Sequence, residues 1–150
     1  MNLTLHAGEA DVGERVLEAV RLGAQRIGHG VHFVDLLRRQ GAEAALAELR
    51  ASGAHFEVCP TSNVHTGAAA SVAAHPIRAL WDAGVSLSFH TDNRLMSRTA
   101  PSIEAAALVD EAGFGWDDLV EMGRQAAAAS FLDAGPRDSA LAALQAWRAP

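Results

Sequence analysis

Lysine and tyrosine are both absent from these 150 residues, and all 12 basic residues are arginine. A Schiff-base lysine or the lysine of a phosphate-binding loop therefore cannot operate in this chain. Cysteine is reduced to one, Cys59, which excludes an intramolecular disulfide and a multi-cysteine zinc cage and makes a reducing cytoplasm the expected compartment. No apolar run approaches the roughly 18 residues needed to span a bilayer, and the first residues lack the basic and apolar regions of a signal peptide. Positive charge is also short: 18 acidic residues against 12 basic ones leave a net charge of −6, with no block of like charge. A nucleic-acid partner is not expected from such a surface, and neither is a membrane.

What is present describes a compact globular chain. Hydrophobic residues make up 49% and charged residues 20%, and the length suits one domain, taken as 1–150. A domain of that size buries roughly 70% of the surface of its unfolded chain. The pattern along it alternates short apolar runs with helical periodicity. Strand-like runs fall at residues 3–5, 26–28, 56–59 and 85–89. Between them, Asp11 and Glu14 read as a capping box opening a helix that presents Val12, Val16, Leu17 and Val20 and stops near Gly23. Residues 35–51 read as a helix weakened in the middle by Gly41, and 61–74 as a small-residue loop. Pro76 sits at a first helical position before Ile77, Leu80 and Trp81. Three more helices are expected near 102–112, 116–131 and 136–147. Four βα units in succession predict an α/β fold with a parallel sheet and extra C-terminal helices.

The chemistry-bearing residues lie just past the strands. The first run leads into His6 and Glu9, the second into His29, the third into Pro60-Thr61-Ser62-Asn63, and the fourth into His90-Thr91-Asp92-Asn93. Carboxyl ends of parallel strands share one face, where ligands bind. Taken singly, a histidine at a strand end is a hydrogen-bonded structural group and an Asp-Asn pair is a turn or helix cap. Four such groups after four consecutive strands instead suggest metal-assisted hydrolysis, because imidazole and carboxylate ligate zinc and a free carboxyl moves protons.

The stretches Leu3-Thr4-Leu5-His6-Ala7-Gly8-Glu9, Arg26-Ile27-Gly28-His29-Gly30, Cys59-Pro60-Thr61-Ser62-Asn63 and Ser88-Phe89-His90-Thr91-Asp92-Asn93 resemble, in order, the fifth to eighth strand motifs of the adenosine deaminase family. That family is a zinc-dependent TIM-barrel group of amidohydrolases. It differs from the zinc deaminases with a Pro-Cys-x-x-Cys signature, which a single cysteine excludes. The resemblance implies zinc-dependent hydrolytic deamination of adenosine or deoxyadenosine to the inosine product, with adenine or another 6-aminopurine as the alternative substrate. It implies His6 and Asp92 as zinc ligands, Glu9 as the group protonating the purine ring nitrogen, and His29 as the group orienting and stabilising the attacking hydroxide. Asp92 would also take a proton from the attacking water. Asn93 stands where many relatives carry a second aspartate, and its amide can donate to the purine N7 without any protonation change. Arg94-Leu95-Met96-Ser97 resembles certain bacterial adenosine deaminases rather than the AMP deaminases.

The remaining histidines receive plainer readings. His90 supports a strand end, and His32, His55, His65 and His75 are loop or surface groups. Cys59 is a buried thiol, and Ser62 and Asn63 tie their loop together, with contact to substrate as an alternative. The family's first-strand His-x-His pair, which supplies two further zinc ligands, occurs nowhere in the sequence. The expectation is therefore half of a TIM barrel, strands five to eight, with little activity alone. A partner carrying the N-terminal half, or self-association, would complete it, and a non-catalytic purine- or metal-binding half-barrel is the rival reading.

Overall fold

A computed structural model describes residues 1–147; positions 148–150 of the expected domain lie outside the described residues. Its order is β1 (Thr4–Ala7), α1 (Glu14–Arg21), β2 (Arg26–His29), α2 (Phe33–Leu37), α3 (Ala42–Ser52), β3 (His55–Val58), α4 (Pro60–His65), α5 (Ile77–Asp82), β4 (Leu87–Phe89), α6 (Arg94–Ser97), α7 (Pro101–Glu111), α8 (Trp116–Ala129) and α9 (Ala134–Ala146). The four strands form one parallel sheet in sequence order, as the alternation of elements predicts. Among the described residues no helix is long and apolar enough to cross a membrane.

Side chains alternate across a strand, so the sheet has two unlike faces. Ala7, Ile27, Phe56, Val58 and Leu87 point to the helical side and join Val16, Phe33, Leu49, Ile77, Leu80, Leu108 and Met122 in one core. The opposite face carries Thr4, His6, Arg26, Gly28, His55, Glu57 and Ser88, with Arg26 paired to Glu57. One row of apolar residues per strand thus secures the helices and leaves the other row free for polar work. The β4 edge is partly closed. Ser86 and His90 turn backbone groups to β3, so Leu87 turns its amide away from it, and the Gln125 carboxamide of α8 accepts that N–H at 3.0 Å.

Four local expectations need correction. The first helix starts at Glu14, not at a capping box on Asp11, because Asp11 Oδ1 accepts the Gly8 N–H at 2.6 Å and ties the β1–α1 loop instead. The helix expected over 35–51 is split: α2 stops at Leu37, and α3 opens only after Gly41, whose φ of 92° is left-handed and breaks the helical path. The stretch 61–74 is not all loop: Pro60 takes the first position of α4, a short helix directly after β3. His55 and His75 are buried rather than on the surface, His55 within β3 and His75 ahead of α5.

Candidate active site

His6 stands on the polar face at the end of β1, opposite Gly28 in the β1–β2 register. The His6 ring lies across that glycine so closely that a Cβ there would meet the ring at 2.9 Å. A glycine at 28 therefore decides where the imidazole rests. One position on, His29 ends β2 with φ of 68°, and after β4 Asp92 has φ of 53°. Left-handed backbone is costly for non-glycine residues and collects at functional sites. Both outliers here turn a side chain of the expected site toward the same place. His6, Gly28, His29, Cys59, His90 and Asp92 line one open cleft of about 300 Å³ at the carboxyl ends of the strands.

Glu9 joins from the β1–α1 loop. Its Oε2 lies 3.3 Å from His29 Nε2, and its Oε1 accepts the Asn63 amide and the Thr66 hydroxyl, each at 3.0 Å. The His6 and His29 rings are 5.1 Å apart between centroids. Asp92 accepts the Ser62 hydroxyl at 2.7 Å. Ser62 and Asn63 therefore do more than tie their own loop: through α4 they hold Asp92 and Glu9 from beneath. Asn93 Oδ1 caps α6 by accepting the Met96 N–H at 3.1 Å, so its NH2 remains a donor. It faces a second hollow, lined also by Ser62, His65, Thr66, Asp92 and Met96.

Burial sets the protonation of this neighbourhood. His29, 2% exposed, is held neutral below the usual histidine range by desolvation, which outweighs the attraction of Glu9 and Asp92. Desolvation, aided by Asp92 and Glu104, pushes the Cys59 thiol up to about 12, which fits a buried structural thiol and not a nucleophile. His90 is also held low by burial, and its Nε2 lies 2.7 Å from the Ser88 hydroxyl, in keeping with support of a strand end.

Two residues support the site that the sequence does not assign to it: Glu104 is not singled out there, and His75 is expected as a loop or surface group. Glu104 of α7 is fully buried; its carboxylate accepts the Thr61 N–H at 3.2 Å and the Thr99 hydroxyl at 2.7 Å, joining α4 to the loop after α6. His75 bonds to Asn63 at 3.3 Å. The clue to His75 is its place immediately before Pro76 and an apolar helix, where a side-chain acceptor can cap the first amides.

A profile of the adenosine deaminase family matches residues 1–147. The chain belongs to the adenosine deaminase family. Adenosine deaminases of Mycolicibacterium gilvum and of Mycobacterium tuberculosis H37Rv are similar to it. The first is 45% identical over 124 residues, 77% of this chain and 34% of that protein, and the second 42% over 147 residues, 93% and 39%. In fold the chain resembles an adenine deaminase from Arthrobacter aurescens, with a TM-score of 0.88 at 22% identity, covering 98% of this chain and 43% of that one. A zinc-bound amidohydrolase from Burkholderia ambifaria gives 0.82 at 24% identity, covering 97% and 40%. The chain thus spans well under half the length of each of these proteins, and its four-stranded sheet corresponds to half of a barrel.

The donors test the fit of zinc. His6 and Asp92 are of the right kind and line one cleft, but among the described residues no three His, Cys, Asp or Glu side chains converge closely enough to hold a metal. A catalytic zinc site has three protein ligands. The set fits in chemistry and falls short in number.

Proposed function

We propose that this chain supplies one half of the active site of a hydrolytic deaminase of 6-aminopurine nucleosides, with adenosine and deoxyadenosine as its substrates. The observation that carries the reading is the convergence of His6, His29 and Asp92 on one cleft, with Glu9 against His29, in a chain of the adenosine deaminase family. Zinc would be held by His6 and Asp92 together with donors from a polypeptide segment forming the other half of the barrel. Bound zinc lowers the pKa of water to about 7, which makes a nucleophile available at neutral pH.

The chain's own residues do the rest. Water adds to the amino-bearing carbon, electron density moves to the adjacent ring nitrogen, and that nitrogen takes a proton; ammonia then leaves. Glu9 delivers the ring proton. His29, neutral and buried, orients the attacking water; Asp92 accepts the water's proton and returns it to the amino group as that leaves as ammonia, the new hydroxyl gives its proton back to Glu9 as it becomes the carbonyl, and Asn93 donates its free NH2 to N7. Adenosine is favoured over adenine because the relatives at 42 to 45% identity are adenosine deaminases, whereas the adenine deaminase matches in fold at 22%.

The test is ammonia release by the chain combined with the N-terminal half of the Mycobacterium tuberculosis relative, offered adenosine, deoxyadenosine and adenine. Adenosine and deoxyadenosine should turn over fastest, and Glu9→Gln should slow them by about 10²- to 10⁴-fold, the range of general acid catalysis. Preference for adenine, or full activity in Glu9→Gln, would overturn the assignment.

A further inference from the structure

The backbone amide of Ile77, at the start of α5, donates to His75 Nδ1 at 2.9 Å. An amide N–H can only donate, so Nδ1 must be the bare nitrogen and the His75 proton must sit on Nε2. That Nε2 lies 3.3 Å from Asn63 Oδ1, which can only accept. The orientation of the Asn63 carboxamide follows, and its NH2 is directed at His29 Nδ1, 3.0 Å away, and at Glu9 Oε1, also 3.0 Å. His29 Nδ1 must then accept, so the proton of a neutral His29 sits on Nε2, facing Glu9 Oε2.

We infer that His75, acting through Asn63, is a positioning residue that fixes His29 in its Nε2-protonated tautomer and directs the Glu9 carboxyl. On the deaminase reading, on which the catalytic consequence rests, this presents an N–H and not a bare nitrogen to Glu9 and the cleft. Every link has one permitted polarity, and the fixed point is a main-chain amide that cannot reverse. His75, Asn63 and His29 are all buried, so water does not compete for the links. Burial also lowers His75 to about 4, which keeps it neutral and its Nδ1 free to accept.

Long-range proton–nitrogen correlation on the 15N-labelled 150-residue chain reads imidazole tautomers directly, without metal or substrate. Both His29 and His75 should show a bare Nδ1 and a protonated Nε2 at neutral pH. In Asn63→Asp an acceptor replaces the donor facing His29, and His29 Nδ1 should become protonated. His75→Asn keeps an oxygen able to accept the Ile77 amide, so the chain stays folded, but the side chain is too short to reach Asn63. His29 Nδ1 should then shift to the averaged position of a mixture of tautomers. A protonated His29 Nδ1 in the unaltered chain, or an unchanged His29 spectrum in folded His75→Asn, would overturn the relay. Failure of the deaminase reading registers separately, as absence of ammonia release from the complemented chain, and leaves these spectra as they are.

Discussion

Two buried histidines couple the fold to acid. His55, between Ser86 and Ser88 with Glu57, Arg26 and His90 nearby, and His75 beside Asn63 are each lowered by burial from 6.5 to about 4. Between those values the unfolded chain binds the proton and the folded chain does not, so stability rises with pH across the window. The contribution is complete above about pH 6.5 and is lost as pH falls toward about 4, of order 3 kcal/mol for each histidine. Urea unfolding between pH 8 and pH 4 should show this fall, and His55→Asn should remove about half of what these two rings contribute; a pH-independent midpoint would contradict the burial of both rings. Asn93 makes the other prediction at this scale. In the completed enzyme Asn93→Ala should weaken adenosine by about 1 to 3 kcal/mol through the lost bond to N7. A 7-deaza substrate, lacking that acceptor, should be nearly indifferent to the change, and equal losses with both would remove Asn93 from recognition.

The short element α4 carries Ser62, Asn63 and Thr66's approach to Glu9, and its own first turn is secured from far along the chain by Glu104. Glu104→Ala removes the acceptor for Thr61 N–H and Thr99 Oγ1 together, leaving buried donors unpaired. Unfolding free energy should drop by about 1 to 3 kcal/mol, against less than about 0.5 for the exposed control Glu43→Ala; equal effects would show that Glu104 is not a fastening point. This dependence also explains what could be read in advance. The strands and the residues that follow them were legible because short apolar runs bounded by Gly8, Gly30, Pro60 and Gly84 punctuate the chain locally. The helix at 60–65 was not, since Pro-Thr-Ser-Asn has the composition of a loop and its stabilising carboxylate lies 43 positions later. Asp11 misled for the converse reason: a good local capping box lost to a bond with Gly8. His75 had only Pro76 beside it as a signal, because Asn63 is 12 positions away.

As a whole the molecule is a four-stranded parallel sheet whose helical side is sealed and whose site side is open. His6 and Asp92 are exposed to solvent, as are Leu95 and Met96 beside Asn93. A preorganised polar site needs walls that exclude water and enough ligands to fix a metal. Neither is complete within these residues; on the proposed function the missing walls and donors come from another polypeptide segment. The most direct measurement is zinc content and adenosine turnover of the purified 150-residue chain, alone and with an N-terminal half-barrel bearing a His-x-His pair. Alone, the chain should hold far less than one zinc per molecule and release no ammonia, and the added half should restore both together. A monomer holding one zinc and turning over adenosine at about 10 per second, an ordinary enzyme rate, would contradict the half-site account outright.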